Sequence, residues 1–98
     1  MLYIASDHGG FALKERLKLF LQKSGEQVQD LGPHVLDIQD DYPDYAIPLA
    51  WHVARDKKAY GILLCRNGQG VCIAANKIKG IRAVTGFSKK MVASTRKD

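Results

Sequence analysis

Cys65 closes an apolar run, Gly61-Ile62-Leu63-Leu64, and Arg66-Asn67-Gly68-Gln69-Gly70-Val71 follows it directly. The order reads as a buried strand ending on a thiol, a glycine loop, and the first turn of a helix. Backbone N–H groups in such a loop converge on an anion, and a helix N-terminus adds partial positive charge that favours a thiolate. Acid–base chemistry on an anionic small molecule is what this arrangement could perform, with Cys65 as the base. A cysteine among Ile62, Leu63 and Leu64 is otherwise a small core residue. Gly68 and Gly70 favour the site, because they let adjacent N–H groups meet an oxyanion. The loop lacks the Gly-Lys-Ser/Thr ending of a nucleotide-binding P-loop and the third glycine of a dinucleotide fingerprint. Cys72, on the helix, is expected to pack.

Two other clusters carry polar chemistry. In Asp7-His8-Gly9-Gly10 the glycines permit close approach of backbone to ligand. Asp7 could accept from sugar hydroxyls and His8 donate to a hydroxyl or phosphate; a helix-capping turn is the equal alternative. Asp40-Asp41-Tyr42-Pro43-Asp44-Tyr45 is dense in carboxylates and phenols. No histidine at ligand spacing supports a metal there. Helix capping and polyol recognition are its two readings.

Alternating strand and helix signals must position these clusters. Leu2-Tyr3-Ile4-Ala5 has strand character, and from Phe11 the pattern turns helical, with Leu13, Leu17, Phe20 and Leu21 on one face and Lys14, Glu15 and Lys18 away from it. Ser24-Gly25 ends that helix. Gln27 to Leu31 suits an edge strand, and Gly32 to Asp41 a polar loop. A second helix is expected from about Asp41–Asp44 to Asp56, its first turn distorted by Pro48. Gly61 to Leu64 is the third strand, Gly70 to Lys77 a short helix, Ile81 to Thr85 a fourth strand, and Ser88 opens a last helix. The pattern predicts one α/β domain over residues 1–98, a three-layer α/β/α sandwich around a parallel, Rossmann-like sheet with right-handed crossovers. Sites in such sheets gather at the carboxyl ends of strands, here Ser6-Asp7-His8, Cys65-Arg66-Asn67 and Thr85-Gly86.

Composition narrows the function classes. The 98 residues are 46% hydrophobic and 26% charged, which is ordinary for a globular domain. No apolar run approaches the roughly 20 residues of a membrane span. Met1 leads straight into strand character with no secretory signal pattern, so the cytoplasm is the expected compartment. Two cysteines seven apart match neither a disulfide framework nor a zinc spacing. The net charge of +5 reads as solvated helix faces or as attraction for phosphorylated metabolites. Nucleic acid is not expected as a partner, since no helix-turn-helix, zinc-finger or aromatic-rich basic pattern is present.

Taken together, Ala5-Ser6-Asp7-His8-Gly9-Gly10, Asp41-Tyr42-Pro43-Asp44-Tyr45-Ala46, Cys65 to Lys77 and Gly80-Ile81-Arg82-Ala83 resemble the ribose-5-phosphate isomerase B family, related to the LacAB galactose-6-phosphate isomerases. The resemblance runs over nearly the whole chain, in the family's order and spacing. It implies interconversion of ribose 5-phosphate and ribulose 5-phosphate through a cis-enediolate, with no cofactor and no metal. By position Cys65 matches the family's base. Asn67, Gly68, Gln69, Gly70 and Val71 match the anion hole facing the enediolate, and Asp7, His8, Asp41 and Tyr42 the sugar and phosphate site. The resemblance also implies a homodimer or homotetramer. Four strands are expected here, with the family's fifth strand, last helix and phosphate-gripping arginines missing. Where the family places a ring-opening histidine after an Arg-x pair, Arg96-Lys97 leads to Asp98, which cannot supply an imidazole at neutral pH. The alternative function is a sugar-phosphate binder without turnover, or an assembly partner.

Overall fold

The computed structural model describes residues 1–97; Asp98 lies outside the described residues. The elements are β1 (Leu2–Ser6), a 3-10 turn (His8–Gly10), α1 (Phe11–Lys23), β2 (Val28–Asp30), α2 (Pro43–Arg55), β3 (Tyr60–Leu64), α3 (Gln69–Ala75) and α4 (Lys89–Lys97). The three strands form one parallel sheet in the order β2-β1-β3, with Leu2 opposite Val28 on one side and Tyr60 on the other. The connections through α1 and α2 leave β1 and β2 towards opposite edges, and right-handed crossovers therefore put these helices on opposite faces. The α/β class and the parallel sheet match expectation.

The core is built from small and branched residues: Ile4 and Ala5 on β1, Ala46, Leu49 and Ala50 on α2, Val71, Ala74 and Ala75 on α3. Alanines at Ala46 and Ala74 let α2 and α3 lie close together, and the pair holds the end of β3. The first turn of α2 is tightened by bonds from Asp44 N–H to Asp41 C=O and from Tyr45 N–H to Tyr42 C=O. These bonds belong to the helix entry; Pro48 lies farther on, and the helix runs on through it.

Two expectations are corrected. The fourth strand over Ile81–Thr85 does not form: residues 81–88 adopt no regular structure. Ala83 spends its backbone groups on a side chain instead, accepting from Asn76 Nδ2 at 2.9 Å and donating to Asn76 Oδ1 at 2.8 Å. An amide that satisfies both groups leaves none for a ladder at that residue.

The second correction concerns α1. Lys14, expected on the solvated face, is 0% exposed, whereas Leu13 and Phe20 are 50% and 65% exposed. Lys14 Nζ lies 2.7 Å from Asp30 Oδ2 and 2.8 Å from Glu15 Oε2, and Lys18 Nζ reaches the same two carboxylates at 2.8 and 3.1 Å. The apolar stem of a lysine packs as well as a leucine once carboxylates meet its head. Asp30, at the end of β2, is the partner that periodicity along α1 cannot reveal. Burial alone would raise its carboxyl; hydrogen bonds from Lys14, Lys18 and the Gly32 amide outweigh that and bring it down to about 2.

Because that folded value lies below the ordinary 3.8, the Asp30 contribution is complete above about pH 4 and is lost as pH falls toward 2. Asp30→Ala, which strands a buried ammonium beside Glu15, is expected to cost about 3 kcal/mol in urea unfolding at neutral pH. Asp30→Asn should lose stability in the same direction, and its gap to the unmodified chain should close as pH is lowered through that window. A gap that stays constant would refute the ion pair as its source. Gly10→Ala is a second probe, since an added Cβ would sit 2.5 Å from the carbonyl carbon and oxygen of Leu64. Backbone atoms cannot give way cheaply, and a loss of about 2–3 kcal/mol in thermal unfolding is expected.

Candidate active site

The carboxyl ends of β1 and β3 lie side by side, and Asp7 N–H donates to Leu64 C=O at 3.2 Å. Asp7 and Cys65 are thus brought to one end of the sheet. Close packing of Gly9 against the Arg66 backbone continues the contact one residue further along each segment. Asp7 Oδ1 also accepts from Gly10 N–H at 3.1 Å and caps the 3-10 turn. The capping reading of Asp7 is therefore realised, at a place where it also borders the thiol segment.

Cys65 is half-buried and packs against Ala46, Val71 and Ala74. Its sulfur accepts from Gly68 N–H at 3.1 Å. That bond needs the sharp reversal at Gly68, whose φ of +81° favours glycine. Asn67 Oδ1 accepts from Gln69 N–H at 3.0 Å and shapes the same loop. Of the first-turn amides of α3, Gly70 and Val71 are then the ones with neither a helical carbonyl nor a side-chain acceptor. The side chain of Val71 is in the core, so its part in any anion hole is played by its backbone. The side chains of Asn67 and Gln69 are exposed.

Tyr42 joins this group. A Cβ on Gly70 would meet three Tyr42 ring atoms at 3.0 Å, so the absent side chain gives the phenol room against the loop. Tyr42 packs on the same Ala46, Val71 and Ala74 cluster as Cys65. Asp41 is placed differently: exposed, its Oδ1 accepts from Tyr42 N–H at 2.9 Å, its N–H donates to Asp44 Oδ2 at 3.1 Å and its C=O accepts from the Asp44 N–H, so it shapes the entry to α2. Asp98, the position expected to replace a ring-opening histidine, lies outside the described residues.

His8 is paired with Asp40. Its Nδ1 is 2.8 Å from Asp40 Oδ1, which also accepts from the His8 N–H at 2.9 Å. The hydrogen bond to Asp40 raises the imidazole above its ordinary value; partial burial opposes, the charges of Asp40 and Asp7 add, and Arg66 subtracts. Asp40, Arg66 and Thr85 lie in segments the sequence marked, the acidic cluster and two strand ends, but carried no individual role there; the structure makes each a neighbour of the site. Thr85 Oγ1 donates to Gly68 C=O at 3.2 Å and its methyl abuts Gly68, so the irregular 81–88 segment braces the loop. No short-range signal marks Asp40, 32 positions from its partner, or Thr85, 17 from its own.

Cys72, expected to pack, is half-buried, with its thiol directed at Ala83 C=O at 3.4 Å. What this end of the sheet can do follows from its parts: a thiol held by an amide, two open N–H donors beside it, a phenol over the loop, and an imidazole paired with a carboxylate. Such a set can take a proton from carbon and stabilise the oxyanion that forms.

Comparison with known proteins identifies the family. The family model described as Ribose/Galactose Isomerase matches residues 2–98. A probable ribose-5-phosphate isomerase B of Mycoplasma pneumoniae is 48% identical over 95 residues, covering 97% of this chain and 62% of that protein. The crystal structure of ribose-5-phosphate isomerase B from Mycoplasma genitalium with bound ribulose-5-phosphate superposes with a TM-score of 0.91 at 44% identity, over 97% of this chain and 63% of the other. The Clostridium thermocellum ribose-5-phosphate isomerase B follows at 0.78 and 43% identity, over 83% and 54%. The chain thus spans about three-fifths of the Mycoplasma relatives' length. With a family match over nearly every residue, the chain belongs to the ribose/galactose isomerase family.

Proposed function

We propose that residues 1–98 form one sugar-phosphate isomerase domain that interconverts ribose 5-phosphate and ribulose 5-phosphate, with Cys65 as the base. The observation that carries the reading is the Gly68 amide on the Cys65 sulfur, with the Gly70 and Val71 amides open beside it. The relative of TM-score 0.91 that holds ribulose-5-phosphate supplies the substrate class.

In this reading the Cys65 thiolate takes the proton from C2 of the open-chain aldose. The C2–H electron pair becomes the C1–C2 double bond, and the carbonyl pair moves onto O1. The Gly70 and Val71 amides receive that developing charge. Passage of the O2 proton to O1 and return of the thiol proton to C1 complete the ketose. Tyr42, His8 and Asp7 line the sugar, with Asp41 at the margin, its carboxylate on the Tyr42 N–H. The protein belongs in the cytoplasm and assembles as a homodimer or homotetramer. Exposed Leu13, Leu19 and Phe20 on α1 favour the assembly, as apolar area of this kind is usually covered. Among the described residues no helix is long and apolar enough to cross a membrane.

Incubation of the 98-residue chain with ribose 5-phosphate in D2O, followed by NMR, tests the reading. Ribulose 5-phosphate should appear with deuterium entering at the exchanged carbon. Cys65→Ala should cut both rates by about a hundredfold or more, the scale of a lost general base. An unchanged rate in Cys65→Ala removes Cys65 from the role. Thermal stabilisation by ribose 5-phosphate with no turnover in the unmodified chain would establish the alternative, a binder or assembly partner.

A further inference from the structure

One oxygen of Asp40 holds His8 twice, through the backbone N–H and through Nδ1. The Asp40 side chain is 3% exposed while that of His8 is 33% exposed, so a buried carboxylate secures a ring that solvent and ligands can reach. The other oxygen, Oδ2, is buried with no hydrogen-bond partner among the described residues. Leaving such an atom unsatisfied costs about 1–3 kcal/mol, so the carboxylate is not placed there for its own solvation. A nitrogen 2.8 Å from a carboxylate oxygen carries the proton. In the neutral ring Nε2 is then the bare nitrogen, and no described residue bonds to it.

We infer that Asp40 is a positioning residue for the candidate site: it fixes His8 as the Nδ1–H tautomer and reserves Nε2 for the ligand. The inference rests on the isomerase reading for the identity of the ligand, a sugar phosphate, and not for the geometry of the pair. Neutral His8 presents an acceptor to a sugar hydroxyl at Nε2; protonated His8 presents a donor to an anionic oxygen. The charged groups facing it are Asp40 from the loop before α2, Asp7 from the end of β1, and Arg66 from the loop after β3. The first two favour the protonated ring and Arg66 opposes it, so Asp40 sets the pH at which the ring changes from donor to acceptor.

The test is nitrogen-15 NMR of histidine-labelled 98-residue chain, with His8→Gln to assign the resonances. On the alkaline side of its midpoint, His8 should show the Nδ1–H tautomer. Asp40→Asn keeps the side-chain volume and removes the charge, and should lower the His8 midpoint. Added ribose 5-phosphate should move the Nε2 resonance, and its affinity should fall about threefold or more in Asp40→Asn. An Nε2–H tautomer in the unmodified chain, or an unmoved midpoint in Asp40→Asn, overturns the positioning role. An Nε2 resonance indifferent to ribose 5-phosphate overturns the assignment of that nitrogen to the ligand. Turnover measured on the same samples keeps the two readings apart: a chain that binds through Nε2 without isomerising sinks the isomerase and leaves Asp40 in place.

Discussion

A lysine ammonium taken out of water has to be met by carboxylates, and much of this fold is arranged around that requirement at Lys14. Asp30 and Glu15 meet it, and Asp30 does so from the last residue of β2. Its other oxygen accepts from the Gly32 amide, the Gly32 carbonyl accepts from the Ser6 amide, and the Leu31 amide donates to Ile4. One buried charge thereby ties α1, the end of β2 and the exit of β1. From that exit the chain passes to Asp7, whose amide reaches Leu64, and so to the segment that carries Cys65.

What was legible in the sequence is what local pattern encodes. The apolar runs of β1 and β3, the proline and acidic residue opening α2, and the glycines around Cys65 each declare themselves within a few residues. The candidate residues Cys65, Gly68, Gly70, Val71 and Tyr42 lie together accordingly. The rest was set by contacts between distant positions. Lys14 looked solvated because Asp30 is sixteen residues away, and Ile81–Thr85 looked like a strand because its branched residues suit one. Neither amphipathic periodicity nor β-propensity registers a side-chain amide that takes a backbone pair first, as Asn76 does at Ala83.

Core and site share atoms here. Val71 fills the α2–α3 cluster with its side chain and contributes its amide to the loop, and Tyr42 packs on that cluster while lying against Gly70. Rigidity at the loop is thus inherited from ordinary apolar packing, which organises a polar site before any ligand arrives. The helical positions between Ala46 and Ala74 have little slack, and a larger residue at either would push the phenol and the thiol apart together.

The Asn76–Ala83 clamp gives the loop a clock of its own. Strands of a sheet open by separating several bonds at once, whereas the two bonds between Asn76 and Ala83 open when a single exposed side chain turns, leaving the Cys72 thiol on the Ala83 carbonyl. Local opening of segment 81–88 also requires the bonds at Cys72, Thr85 and Arg82 to part, while β1 and β3 stay paired. Each detachment takes Thr85 away from the Gly68 carbonyl and lets the residues facing the Cys65 sulfur relax. The loop at the thiol is therefore coupled to a few side-chain bonds, from Asn76, Cys72 and Thr85, as well as to the sheet beneath it.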